Sequence, residues 1–319
     1  MTRLLFITII TLTFFSCKKE ISNEFVPDPG NPYNDTAWAT TVSTAAPVNE
    51  IFQLFSKPSQ TKSLDVSEGG AVDFDDDVQI IFPAKACGEN VTGNIQIAID
   101  HLKTKGDIIR FGKPTMSGDK LLVSAGAFNV RVLQNTSVLS LKDNKSIIIR
   151  YRAPHPDPGM KVFYGDTSVN SREGFTWVEA NDGISSVRTT PSSSDTAYFY
   201  ELICKKLEWV NCDKFFNEGG DRTKVSVILP VNFTNKNTAV FLVSKDQFIV
   251  ARCRADEQNR LFFLENMPVR KAFTIVSISK IGNDLYLATK NITITKNLNA
   301  ELSPEKKAEQ TITDFLDSL

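Results

Sequence analysis

Short runs in which apolar and polar side chains alternate recur along most of this chain, and they leave little choice of fold class. Ile95, Ile97 and Ile99 alternate with Asn94, Gln96, Ala98 and Asp100. The pattern returns where Phe128, Val130 and Val132 oppose Asn129 and Arg131, and where Ile147, Ile149 and Tyr151 oppose Ile148 and Arg150. Successive strand residues point to opposite faces, so each run predicts a strand with one dry and one wet side. Further along, Val225, Val227 and Leu229 repeat the period, as do Ala239, Phe241 and Val243, then Phe273, Ile275 and Ser277, then Tyr286, Ile292 and Ile294. Short strands separated by Gly and Asp turns imply sandwiches. The 22 Phe among 319 residues agree, because aromatic and β-branched side chains suit a half-buried pleat. We therefore expect an all-β protein: two tandem β-sandwich domains with a short C-terminal α-helix.

The N-terminus follows a different logic. Arg3 gives a positive start, and Leu4 to Phe15 is apolar apart from Thr8, Thr11 and Thr13, which is the layout of a secretory signal peptide. The run stops at Cys17-Lys18-Lys19-Glu20, well short of the ~20 apolar residues of a spanning helix. Phe14-Phe15-Ser16-Cys17 resembles the lipobox of bacterial lipoproteins, with bulky residues before the small one as in the relaxed lipoboxes of Bacteroidetes. That resemblance implies cleavage before Cys17, palmitate-like acyl chains on its sulfur, and anchorage to a membrane. Lys18, where aspartate would retain many lipoproteins at the inner membrane, points by the same resemblance to the outer membrane. From Lys18 to about Gln60 the chain is rich in Pro, Asn, Ser and Thr and reads as a tether. Ile51, Phe52, Leu54 and Phe55 interrupt it with apolar bulk that either docks on the first domain or forms its first strand.

The expected organisation is a signal peptide over 1–16, a tether over 17–60, sandwiches over 61–200 and 201–302, and an amphipathic helix over 303–319. Asp75-Asp76-Asp77 reads as a solvated turn feeding a strand through Val78, Ile80 and Phe82, which Pro83 ends. Ser303-Pro304-Glu305 supplies a cap, a Pro at the first helical position and an acid in the first turn. Ala308, Ile312, Phe315, Leu316 and Leu319 then share a face predicted to pack on the second sandwich.

Gly69-Gly70, the run Val78 to Ala86, and Gly93-Asn94-Ile95 resemble the β-sandwich shared by ankyrins and netrin receptors, and more closely its counterparts in uncharacterised Bacteroidetes lipoproteins. Pro114-Thr115, Leu122 to Phe128, Met160, Phe163-Tyr164-Gly165 and Trp177-Val178 extend the resemblance. Trp209-Val210-Asn211-Cys212-Asp213-Lys214-Phe215 carries it most strongly. It spans about residues 36–300 and implies a surface or periplasmic lipoprotein, a lineage and a fold, with no particular chemistry. Phe262 to Val269 is similar to the strand-then-turn of carboxypeptidase regulatory-like sandwiches, where glycine usually follows the valine. Arg270 stands there instead, which predicts a different turn.

Candidate chemistry is sparse. The charges, 36 Lys plus Arg against 37 Asp plus Glu, create no field favouring nucleic acid or anionic lipid, so nucleic acid is not an expected partner. His101 and His155 stand in no zinc-ligand spacing, and both read as lone surface histidines. No Gly-x-Ser-x-Gly elbow occurs. Asp73, Asp75 and Asp77 are spaced like the first ligands of a calcium loop, but Val78 and Ala84 replace its glycine and bidentate glutamate; no metal or cofactor is expected. Cys87, Cys204, Cys212 and Cys253 are an even set in an oxidising compartment and allow three disulfide pairings. Alternatively Cys212 is a small buried hydrophobe. Trp177, Trp209, Tyr198 and Tyr200 could stack on a sugar or anchor a partner, although alternation puts most such aromatics in the core.

These features lead us to expect a membrane-anchored lipoprotein with a non-catalytic binding or structural role in the cell envelope. Its partners would be the membrane, through the N-terminal lipid, and an envelope protein or glycan. The alternative is an envelope hydrolase acting on glycan through paired carboxylates, which meet in space and need no fixed spacing.

Overall fold

The computed structural model describes residues 35–168, 174–193 and 195–319; the expected signal peptide and Cys17 lie outside them. The chain is all-β, with three short helices among the described residues. The first sandwich begins with β1 (Gln60–Asp65), β2 (Gly70–Phe74), β3 (Val78–Phe82), β4 (Asn94–Leu102), β5 (Met116–Ser117), β6 (Lys120–Gln134) and β7 (Ser137–Leu139). It continues through β8 (Ile147–Ala153), β9 (Lys161–Asp166), β10 (Thr176–Glu179), β11 (Ser186–Pro191), β12 (Tyr198–Cys204) and β13 (Glu208–Phe215). One sheet runs β1-β4-β6-β13-β9-β10, with β5 and β7 also on β6, and the other runs β11-β12-β8-β3-β2. Ile95, Ile97 and Ile99 of β4 meet Ile147, Ile149 and Tyr151 of β8 in the core between them, as alternation requires.

The domain boundary expected at residue 200 is displaced. β12 pairs with β8 over its whole length, and β13 lies between β6 and β9 at the centre of the larger sheet. The Trp209 to Phe215 stretch therefore belongs to the first sandwich.

The second sandwich contains β14 (Arg222–Ile228), β15 (Thr238–Ser244), β16 (Val250–Arg252), β17 (Arg254–Asp256), β18 (Leu261–Pro268), β19 (Ala272–Ile281), β20 (Asp284–Thr293), β21 (Leu298–Glu301) and β22 (Glu305–Lys307). Its sheets run β17-β18-β14-β21 and β16-β15-β19-β20-β22, with β14 and β21 parallel. Arg270 ends the β18 turn at φ +69° and donates its N–H to the Ile294 carbonyl at 2.8 Å. The left-handed turn is kept without the glycine, contrary to the expected change of turn. A left-handed L-residue costs about 1–2 kcal/mol, partly offset by the greater unfolded-state freedom of glycine. Arg270→Gly should accordingly raise stability by about 0.5 kcal/mol or more, read from the urea midpoint at unchanged slope.

A shared apolar layer welds the sandwiches together. β15 is buried along its entire length: Val240 and Leu242 face the second core, whereas Ala239, Phe241 and Val243 face the first sandwich. There they meet Leu102, Leu122, Phe163 and Trp177. The expected tether contributes too. Residues 47–55 form α1 (Pro47–Phe55), with Pro at its start and Val48, Ile51 and Phe55 buried in this layer. Val48 N–H reaches Lys236 O at 2.9 Å, and Phe52 packs edge-on against Phe241. The segment is neither a free tether nor a first strand.

α2 (Lys105–Arg110) is nucleated by a capping box in which Thr104 and Asp107 satisfy each other's backbone N–H groups. The C-terminal helix, α3 (Glu309–Asp317), starts later than expected, because Glu305–Lys307 extends a sheet as β22 against β20. It packs on α2 at the junction, with Ile312 and Leu316 fully buried.

Candidate functional site

Where the sandwiches meet beside the shared layer they leave a cleft of about 420 Å³. Val123, Ser124 and Ala125 of β6 line it from the first sandwich, together with Tyr200 of β12 and Lys214 of β13. Arg152 at the end of β8 and the loop carrying Pro154, His155, Asp157 and Met160 form a rim. The turn Asp246-Gln247-Phe248, between β15 and β16, faces them from the second sandwich.

The rim is fixed in detail. Prolines at 154, 156 and 158 restrict the loop, and the Tyr200 hydroxyl accepts the Asp157 N–H while donating to the Asp157 carbonyl at 3.2 Å. Lys214 Nζ lies 2.6 Å from the Asp157 carboxylate, and Arg152 pairs with Asp195 at 2.5 Å. The opposite wall is tied down across the junction. Ser124 N–H donates to Phe248 O at 3.0 Å, and Thr115 N–H to Val250 O at 2.8 Å. Gln247 Nε2 donates to Glu218 at 2.7 Å, while its Oε1 is buried with no protein partner among the described residues.

Behind the cleft lies a buried polar chain. Ser124 Oγ donates to Asn211 Oδ1 at 3.0 Å, and Asn211 Nδ2 donates to Asp213 Oδ2 at 2.6 Å. β13 is irregular between Asn211 and Asp213, where its register on β6 shifts. Asp213 is fully buried, and burial drives its carboxyl pKa well above the usual range against a smaller opposing effect of Ser124.

A smaller recess of about 160 Å³ is lined by His101, Asp76, Asp100, Lys57 and Lys103, among others. His101 is not the surface histidine expected: its ring stacks on Phe128 at 4.5 Å, and Nδ1 is buried without a partner among the described residues. Burial brings its pKa down to about 4, with nearby Asp76 opposing. His155, by contrast, is exposed at the cleft rim. The acids of the recess hold structure. Asp107 caps α2 and pairs with Lys57 at 2.7 Å, while Asp100 accepts from Ser59 and Asn129.

The candidate binding aromatics are redistributed. Trp177 has no exposed surface and sits in the shared layer, so no ligand reaches it. Trp209 is half-buried and, with Phe175, carries the Lys113 ammonium at 4.9 and 4.0 Å from the ring centres. Burial, with help from Arg252, lowers the Lys113 pKa to about 8. Tyr198 is exposed; Tyr200 is buried and acts through its hydroxyl. The four described cysteines form no disulfide. Cys204 and Cys212 are buried in the first core, Cys87 packs beside it, and Cys253 lies in the second core. Burial raises the Cys212 thiol to about 12 and Cys204 higher still, so both behave as small hydrophobes.

Ser124, Asn211, Asp213 and Gln247 escaped sequence reasoning. For the first three the one signal was polarity within strongly patterned strands, as in Val210-Asn211-Cys212-Asp213, where both faces turn out to be buried; Gln247 lies in a turn and gave none. Compared with models of known protein families and with curated proteins, the chain matches none.

Proposed function

We propose that this is a membrane-anchored lipoprotein, held at the outer membrane by acyl chains on Cys17, with a non-catalytic binding role in the cell envelope. The observation that carries the reading is a preformed cleft of about 420 Å³ between two sandwiches that share one apolar layer. Ligand sites favour domain junctions and occupy about 300–1,000 Å³. The N-terminal segment supports the same picture, because α1 locks into that layer and ties a lipid-held terminus to the rigid body. Acyl chains contribute about 0.8 kcal/mol per buried methylene, so more than one holds such a body stably. The resemblance of Phe14 to Cys17 to a relaxed lipobox supplies the anchor. An envelope protein or glycan is the partner.

The alternative hydrolase needs two carboxylates convergent on a substrate. Asp157 and Asp246 line the cleft from opposite sandwiches, but Asp157 is already bound by Lys214 and by its own loop contacts. The structural use of its acids favours binding over hydrolysis.

Expression of the full chain in a diderm bacterium tests the proposal. We expect acylated Cys17 by mass spectrometry of the N-terminal peptide, membrane fractionation of the protein, and nearly complete release by Cys17→Ala. An unmodified thiol with protein free in the medium would overturn the anchor. Turnover of an envelope polysaccharide that Asp157→Asn or Asp246→Asn abolishes would replace the binding role by hydrolysis.

A further inference from the structure

We propose that the junction cleft is a binding site for a neutral saccharide, an assignment that rests on the binding role above and names its ligand. The first reason is charge. Arg152 and Lys214 are matched on the lining by Asp157 and Asp246, and both cations are already engaged, with Asp195 at 2.5 Å and Asp157 at 2.6 Å. An anionic ligand meets cations whose charge Asp195 and Asp157 already offset, and an uncharged ligand leaves both pairs intact. Asp246, which belongs to neither pair, is exposed and able to accept from a hydroxyl.

The second reason is the mixture of surfaces. A sugar presents hydroxyls that both donate and accept, set around an apolar C–H face. The walls answer each part: the exposed Asp246 carboxylate accepts, the His155 ring carries a donor, and Met160 and Phe248 are half-buried apolar surfaces. Gln247 contributes a fixed wall, its amide nitrogen held by Glu218.

The third reason is rigidity. The Ser124–Phe248 and Thr115–Val250 main-chain bonds fix one wall, while Tyr200 and Lys214 hold the proline-rich rim. A site that does not reorganise loses little on binding, which suits a ligand making modest polar contacts.

The test uses the full chain purified in detergent and a panel of short neutral oligosaccharides built from glucose, galactose, mannose and N-acetylglucosamine. The same chains carrying a uronic acid or a sulfate serve as charged counterparts. Saturation-transfer NMR and calorimetry should detect at least one neutral saccharide, bound more tightly than its charged counterparts. Asp246→Ala, which removes the exposed acceptor, and Ala125→Phe, which fills space on the β6 side, should each weaken it about tenfold or more. Hydrogen exchange of the unaltered protein reads the site without any variant: binding should protect residues 154–160 and 246–248. No neutral ligand, preference for a charged one, or protection elsewhere would overturn the assignment. Should that happen with Cys17 acylated and the protein at the membrane, only the ligand falls and the envelope role stands. An unmodified Cys17 with saccharide bound in the cleft would sink the anchor alone.

Discussion

Replacing Gly106 by alanine should dislodge the C-terminal helix and cost about 3 kcal/mol, although alanine is the better helix former. A Cβ on Gly106 would lie 1.8 Å from the Leu316 carbonyl oxygen and 2.7 Å from its carbon, both backbone atoms that no rotamer change can move. Helix propensity alone predicts a gain of about 1 kcal/mol. Close approach of α2 and α3 reverses the sign. If α3 moves away, Ile312 and Leu316 lose full burial, worth about 1.5–3 kcal/mol each. Arg110, almost wholly buried, also loses the Asp317 carboxylate at 2.6 Å and the Thr313 carbonyl at 3.0 Å. Breaking such a pair from one side leaves an uncompensated charge. Denaturant titration should show the loss, and hydrogen exchange should localise it to residues 309–319. Removing those residues should cost a similar amount, and in that shortened chain Gly106→Ala should become neutral or stabilising. A stabilised full-length variant would show that the helices separate without cost.

The strands were legible because their physics is local. Ile95, Ile97 and Ile99 announce a pleat from the seven residues Asn94 to Asp100, and the fold needs only that one face be dry. The domain boundary was not legible. β13 reaches the centre of the first sheet by pairing with residues 78 to 93 positions earlier in β6, and nothing in Glu208–Phe215 itself encodes that partner. α1 was hidden for a related reason: nine residues are too few to hold a helix alone, so its stability comes from the layer that buries Val48, Ile51 and Phe55. Trp177 looked equally fit for a ligand or a core until its surroundings were known. The cleft is the extreme case. Its residues come from two sandwiches, and Ser124 and Gln247 acquire meaning only through the junction that brings their strands together. The glycine pair at 69–70 was the opposite: Gly69 has φ +69° and would bring a Cβ within 2.6 Å of the Phe82 carbonyl oxygen, so a motif read as lineage has a steric cause.

Removing either of two buried titratable groups should expose a pH dependence that the unaltered protein largely conceals. His101 has its pKa lowered from 6.5 to about 4, first by burial and then by Lys103, against the pull of Asp76 and Asp107. Between those values the unfolded chain binds a proton there that the folded chain refuses, so stability rises with pH and falls as the solution is acidified. The slope approaches about 1.4 kcal/mol per pH unit and accumulates to about 3 kcal/mol across the window. Asp213 works in the other direction. Its folded pKa lies well above 3.8, so above that pH the unfolded chain releases a proton that the folded chain keeps, and stability falls as pH rises. Within the window of His101 the two slopes oppose each other. His101→Phe preserves the stack on Phe128 while removing the titration. Its stability relative to the unaltered protein should be most favourable near pH 4 and decline by about 3 kcal/mol towards pH 6.5. Asp213→Asn should show the reverse trend, gaining on the unaltered protein as pH rises. Urea midpoints of the three proteins across this range decide the matter. Flat differences would mean that neither group is desolvated as its burial requires.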